Sequence, residues 1–204
     1  MFNKLEKLII ATGNKGKFEE LKAMLSGANK NFADEIIFAP EFAEQINIVE
    51  DGSSYEENAE IKARAWAEIS GLSCLADDSG LEVEALNNAP GIYSARIVDG
   101  DDNARNLWLL DKLKNFKDKN ERRARFAASL VLIFNNFNNN KIIAKGFCEG
   151  YIAEKISGLN GFGYDPIFVP KGFDITFAEL SSEIKNKISH RALAVKNLLK
   201  NFKN

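Results

Sequence analysis

The sequence predicts an α/β fold on a mixed β-sheet. Segments of helical period lie between short apolar runs of strand character, the order expected of α/β folds. Residues 123–156 break that order and read as a meander of strands with no helix between them, so the sheet is not purely parallel. The chain has 204 residues, 45% apolar and 27% charged, enough for one large domain or two lobes sharing a sheet. At this size roughly 70% of the unfolded surface is buried, and folding needs no disulfide or structural metal.

The elements follow in order. "LIIA" (8–11) is a strand, "TGN" (12–14) a turn, and a helix starts at Lys17 with Phe18, Leu21 and Leu25 on one face. "SSYEENAEIKARAWAEISG" (53–71) is a helix with marked ends. Ser54 and Glu57 have capping-box spacing, and Gly71 sits where a glycine closes a helix. "LSCLA" (72–76) is a buried strand, "DDSG" (77–80) a turn, and "LEVEAL" (81–86), alternating apolar and acidic, a half-exposed strand. "NNAPG" (87–91) is a loop, and "DDNARNLWLLDKLKNF" (101–116) is an amphipathic helix. Within 123–156 three strands are expected, with an Asn-rich turn between the first two. "GLNGFGYDPIFVP" (158–170) is a glycine-broken loop leading into a short strand. "SSEIKNKISHRALAVKNLLKNF" (181–202) is one closing helix, with Ser182 placed to cap it.

Composition narrows the function classes. A net charge of −2 gives no general footing for nucleic-acid binding, which shows as a basic excess, although a local basic pocket stays open. Cys74 and Cys148 have no C-x-x-C spacing and read as buried thiols of a reducing compartment. The N-terminal stretch reaches "TGN" too early to hold a signal-peptide apolar region, and "FAASLVLIF" (126–134) is too short to span a bilayer. A cytoplasmic, enzyme-sized protein with no membrane partner is expected.

Several stretches could carry chemistry. Residues 12–17 (Thr12, Gly13, Asn14, Lys15, Gly16, Lys17) lie between a strand and a helix start, where unpaired backbone N–H groups, glycines and two lysines favour an anion, phosphate above all. The stretch matches neither G-x-x-x-x-G-K-[ST] nor G-x-G-x-x-G, and it also fits a tight turn with solvated lysines. Asp77 and Asp78 are adjacent acids at the expected end of a buried strand. Two carboxylates this close repel unless a cation sits near, and magnesium would serve; a turn in which they accept local N–H groups also fits. Glu50 reads alone as a loop acid and Lys62 as a surface lysine. Phe162 and Tyr164, between glycines, either stack on a base or anchor the loop in the core. His190, the only histidine, stands beside Arg191 and five residues after Lys185, a small basic cluster on the expected closing helix.

In order, "ATGNKGK", "EDGSSYEENAEIKARA", "LADDSGLEVEAL", "APGIYSAR", "GFGYDP" and "KISHR" resemble the Ham1-like family of inosine triphosphate pyrophosphatases, in the spacing of its bacterial branch, from residue 8 to about 195. The resemblance implies a long mixed sheet dividing two α/β lobes, with the active site in the cleft, so that 1–204 form a single domain of two lobes. It implies a magnesium-dependent, usually homodimeric enzyme. Such an enzyme hydrolyses inosine, deoxyinosine and xanthosine triphosphates to the monophosphate and pyrophosphate, cleansing the nucleotide pool. Carried over, Thr12 to Lys17 hold the triphosphate, and Asp78 is general base and metal ligand. Glu50 is the other metal-associated acid, with Val49 where some relatives carry a further acid, and Asp77, adjacent to Asp78, is a further candidate metal ligand. Lys62 faces the phosphates and Ser79 touches substrate. Phe162, Gly163, Tyr164 and Asp165 hold base and sugar, and Lys185, His190 and Arg191 complete the nucleotide site. Other classes remain open at this point: a nucleotide-binding protein without hydrolysis, a nucleic-acid binder using the lysines of 185–203, and a similar pyrophosphatase for modified pyrimidine nucleotides.

Overall fold

The computed structural model describes residues 4–28, 32–43, 46–135 and 140–203. Its elements are β1 (Leu5–Ile10), α1 (Lys15–Ala28), β2 (Ala33–Phe38), the one-turn α2 (Ala39–Phe42), α3 (Tyr55–Ser70), β3 (Ser73–Val83), α4 (Asp102–Lys112), β4 (Arg123–Ile133), β5 (Lys141–Ile152), β6 (Phe168–Pro170), α5 (Ser182–Ile188) and α6 (His190–Lys203). The strands form one sheet in the order β2-β1-β3-β4-β5-β6. β1 runs parallel to both β2 and β3, whereas β5 and β6 are antiparallel. The sheet is therefore mixed, and α1 supplies the crossover that the parallel β1–β2 pair requires.

The chain divides into two compact units. The first is Met1–Asp78, Ala128–Gly146 and Arg191–Asn204; the second is Ser79–Ala127 and Phe147–His190. In the first unit the strands send alternate residues to two apolar clusters, as period-two side chains must. Leu8, Ile10, Leu75, Leu130 and Leu132 join Phe18, Leu21 and Leu25 of α1 and Val195, Leu198 and Phe202 of α6. Ile9, Cys74, Ala76, Val131 and Ile133 join Ala59, Ala63, Trp66 and Ala67 of α3. Helices on both faces explain why these strands read as continuous apolar runs. In the second unit Leu81, Val83, Leu109, Leu113, Phe126, Phe168 and Phe177 form a core of their own, with the Phe126 and Phe168 rings edge to face at 4.7 Å.

The structure corrects four local expectations. Residues 77–80 are not a turn: β3 runs unbroken from Ser73 to Val83, and only Glu84–Leu86 leave it, as a single 3-10 turn. Asp77 and Asp78 stay in the strand because their charges are met by cations, described below, and need no turn amides. Residues 123–156 hold two strands, not three. β5 continues through Gly150, where a Cβ would meet the Val169 carbonyl of the paired strand at 2.2 Å, so this glycine permits close pairing and does not mark a break. The closing helix is two helices. Ser189, with φ −67° and ψ 161°, is extended between α5 and α6, and α5 is capped by Ser181, one residue before the expected Ser182. The last correction is to the capping box. Ser54 accepts the Glu57 N–H as expected, but the Glu57 carboxylate turns back to the Ser53 N–H and hydroxyl. Gly71 does close α3, at φ 66°. α1 begins two residues earlier than expected, and the core of the Asn-rich turn, residues 136–139, lies outside the described residues. No helix among the described residues is long and apolar enough to cross a membrane.

Candidate active site

The first cluster of candidate residues belongs to the first unit. It starts where β1 meets α1. Thr12 Oγ1 accepts the Asn14 N–H at 3.1 Å, and Asn14 Oδ1 accepts the Lys17 N–H at 3.0 Å, so Asn14 caps the helix. The loop turns the positive end of the α1 dipole outward beside Thr12, Gly13 and Gly16, with Lys15 exposed on it. Lys17 turns inward. Its Nζ lies 2.9 Å from Asp77 Oδ2, which also accepts from Arg191 Nε at 3.2 Å. Arg191 NH1 donates to Glu20 at 3.1 Å, and Asp77 is fully buried. Burial pulls the Lys17 ammonium below its ordinary pKa, against the attraction of Asp77.

As consecutive strand residues, Asp77 and Asp78 point to opposite faces of the sheet. Asp78 accepts from Lys62 Nζ at 3.2 Å and from Asn58 Nδ2 at 3.4 Å. The same Lys62 ammonium donates to Glu50 at 2.9 Å, so one cation spans two carboxylates. Asn58 and Lys62 share a face of α3 one turn apart, and Asn58 Oδ1 also accepts the Gly52 N–H at 2.9 Å, which pins the segment carrying Glu50. Burial raises the Asp78 pKa above the ordinary carboxylate value, although Lys62 and Lys17 pull the other way. Burial alone would lower Lys62; Asp78 and Glu50 outweigh it and hold its pKa above the ordinary value.

The second cluster belongs to the second unit and is built on the loop before β6. Gly161 (φ 78°) has no room for a side chain: a Cβ would meet the Asp165 carboxylate at 2.1 Å. That carboxylate accepts the Phe162 N–H at 2.9 Å and pairs with the buried Lys185 ammonium. Lys185 in turn lies 4.8 Å from the centroid of the half-buried Phe162 ring. The Tyr164 hydroxyl donates to the Ser94 carbonyl at 2.9 Å, and burial pushes its pKa up to about 12. His190 is buried with its ring stacked on Phe126, centroids 4.6 Å apart. Ser79 is half-buried in β3 directly after Asp78.

The expected basic cluster of Lys185, His190 and Arg191 is thus distributed. Lys185 serves Asp165, His190 packs on an aromatic ring, and Arg191 serves Asp77 and Glu20. Sequence reasoning missed Glu20, Asn58, Asp102 and Asn106. The last two bond the Gly163 backbone from α4. Each sits on a helix face shared with buried or functional residues, and a polar residue at such a position was the available signal.

The fold is a mixed α/β sheet in which buried lysine and arginine side chains are paired with carboxylates. The sequence profile of the Ham1 family matches residues 8–201, and the chain belongs to that family. It is 45% identical over 193 residues to the dITP/XTP pyrophosphatase of Pseudomonas aeruginosa, covering 94% of both chains. It is 42% identical over 207 residues to the dITP/XTP pyrophosphatase of Clostridium perfringens, covering 98% of both. The solved Ham1 protein of Staphylococcus aureus superposes with a TM-score of 0.80 at 39% identity, covering 97% of this chain and 98% of that one.

Proposed function

We propose that this protein hydrolyses non-standard purine nucleoside triphosphates, dITP and ITP with XTP and dXTP, to the monophosphate and pyrophosphate. The observation that carries the reading is the nearly full-length likeness to dITP/XTP pyrophosphatases. In this reading Thr12 to Lys17 take the triphosphate, whose roughly four negative charges Lys15, Lys17 and Lys62 help to offset; catalysis of such transfers is mostly positioning and charge stabilisation. Phe162, Gly163, Tyr164 and Asp165 take base and sugar, supported by Lys185 and His190, and Ser79 contacts substrate. Arg191, held on Asp77 and Glu20, keeps the acid beside Lys17 neutralised within the phosphate-facing cluster.

Asp78 is the general base. Its carboxylate, held by Lys62 and Asn58, is oriented to accept a proton. It takes the proton of a water that attacks the α-phosphorus. The bond from that phosphorus to the bridging oxygen breaks, and pyrophosphate leaves as one unit. Lys62 fixes the direction of the Asp78 carboxylate.

Magnesium suits the donor set. Among the described residues no three His, Cys, Asp or Glu side chains are gathered to hold a metal by themselves. Magnesium does not ask for that: it is held by one or two carboxylates, with water and phosphate oxygens completing its shell. Glu50 and Asp78, already sharing one cation, would hold it; Asp77, buried on the opposite face of the strand and committed to Lys17 and Arg191, would not. The ion would offset phosphate charge and acidify bound water. A cytoplasmic homodimer with no nucleic-acid or membrane partner completes the proposal.

The test is a panel of ITP, dITP, XTP, ATP and a modified pyrimidine triphosphate with magnesium, reading pyrophosphate and orthophosphate separately. Pyrophosphate from the first three, with little turnover of the others, is expected. Orthophosphate as product, or equal use of ATP, would sink the reading.

A further inference from the structure

We propose that Asp102 and Asn106 of α4 are positioning residues that set the Gly163 backbone, and through it the Phe162 ring, for the nucleobase. The inference rests on the reading of loop 161–165 as the base-holding segment. Asp102 Oδ2 accepts the Gly163 N–H at 2.6 Å, and Asn106 Nδ2 donates to the Gly163 carbonyl at 3.0 Å. The two residues lie one turn apart on one face of the helix. The first bond fixes the Phe162–Gly163 peptide plane and the second the Gly163–Tyr164 plane. Gly163 has φ 63°, the backbone freedom that only glycine has cheaply, so both soft torsions around it are held from outside by α4. Arg105 pairs with the Asp102 carboxylate and anchors on the Gly100 carbonyl at 2.8 Å, so the acceptor is itself held in place.

Asn106 is a poor choice for packing alone. It is 2% exposed, on the helix face that continues through the buried Leu109 and Leu113, and its Oδ1 has no hydrogen-bond partner among the described residues. A buried half-satisfied amide destabilises relative to an apolar residue of similar size. Its one bond, to Gly163, is what a leucine could not supply.

The test uses full-length Asn106→Leu, Asp102→Ala and Asp102→Asn, with steady-state ITP hydrolysis, inhibition by inorganic tripolyphosphate, and thermal melting. Loss of one such bond should raise KM for ITP about threefold to tenfold in Asn106→Leu and Asp102→Ala, with kcat held within about twofold. The KI for tripolyphosphate, which has no base, should not move. Asp102→Asn keeps an acceptor oxygen and should recover most of the KM. Asn106→Leu should melt no lower than the parent. Unchanged KM in the first two variants overturns the proposal, as does a parallel rise in KM and KI. A lowered melting point with KM unchanged assigns the bonds to stability alone. If the parent chain does not hydrolyse ITP, the activity reading falls, and this inference with it.

Discussion

The two clusters solve different problems. In the first unit, side chains neutralise side chains: Lys17 and Arg191 meet Asp77, and Lys62 meets Asp78 and Glu50. In the second, side chains mostly hold backbone: Asp165 takes the Phe162 amide, Asp102 and Asn106 take Gly163, and Tyr164 takes the Ser94 carbonyl. A charge-balanced cluster suits a ligand that changes its charge during reaction. A backbone-clamped loop suits a ligand recognised by shape and hydrogen bonds, which a wandering loop could not discriminate.

If the division is right, variants of the two regions should differ in kind. The largest effect is expected from Asp78→Asn, which keeps shape and removes the proton acceptor. Turnover of dITP should fall at least about a hundredfold, with folding intact by circular dichroism. Near-normal turnover would remove Asp78 from the chemistry. Next come Lys17→Ala and Phe162→Ala as a pair. Each should weaken ITP about tenfold, the worth of one charged contact or one stacked base. Only Lys17→Ala should weaken tripolyphosphate as well. If both variants lose tripolyphosphate equally, the two clusters do not divide the ligand as proposed.

The smallest effect concerns Tyr164. Its phenol is raised by burial from 10.0 to about 12. A raised folded-state pKa means that its stabilisation is present in full below pH 10 and is lost as pH climbs from 10 towards 12. The bond to Ser94 should be worth about 1 kcal/mol. Urea unfolding of Tyr164→Phe against the parent should therefore show a gap at pH 9 that narrows above pH 10 and reverses before about pH 12. A gap constant with pH would mean that the phenol titrates no differently when folded.

Much of the first unit was legible because periodicity and burial agree there. Phe18, Leu21 and Leu25 of α1 are the buried face that the spacing predicts, and Ser54 and Gly71 end α3 as their chemistry requires. The failures share a cause: local residue preference was allowed to decide what distant partners decide. "DDSG" has turn composition, yet Lys17, Arg191 and Lys62, far off in sequence, hold it in a strand. The expected third strand is the end of β5, which runs on through Gly150 because the Val169 carbonyl packs where a side chain would stand. Ser189 interrupts the closing helix although nothing but a β-branched Ile188 and a serine marks the spot. For the site, the charged residues were visible as motifs, whereas Asn58 and Asn106 were hidden inside amphipathic helices and show themselves only through what they bond.

The boundary between the units falls inside β3 after Asp78, inside β4 after Ala127, inside β5 after Gly146, and again after His190. Neither unit is one continuous piece of chain, so no single cut frees a foldable half. Three of the four crossings lie within strands. A gene cannot duplicate, swap or shed one unit by recombination at a single point, because one unit is made of three segments of chain and the other of two.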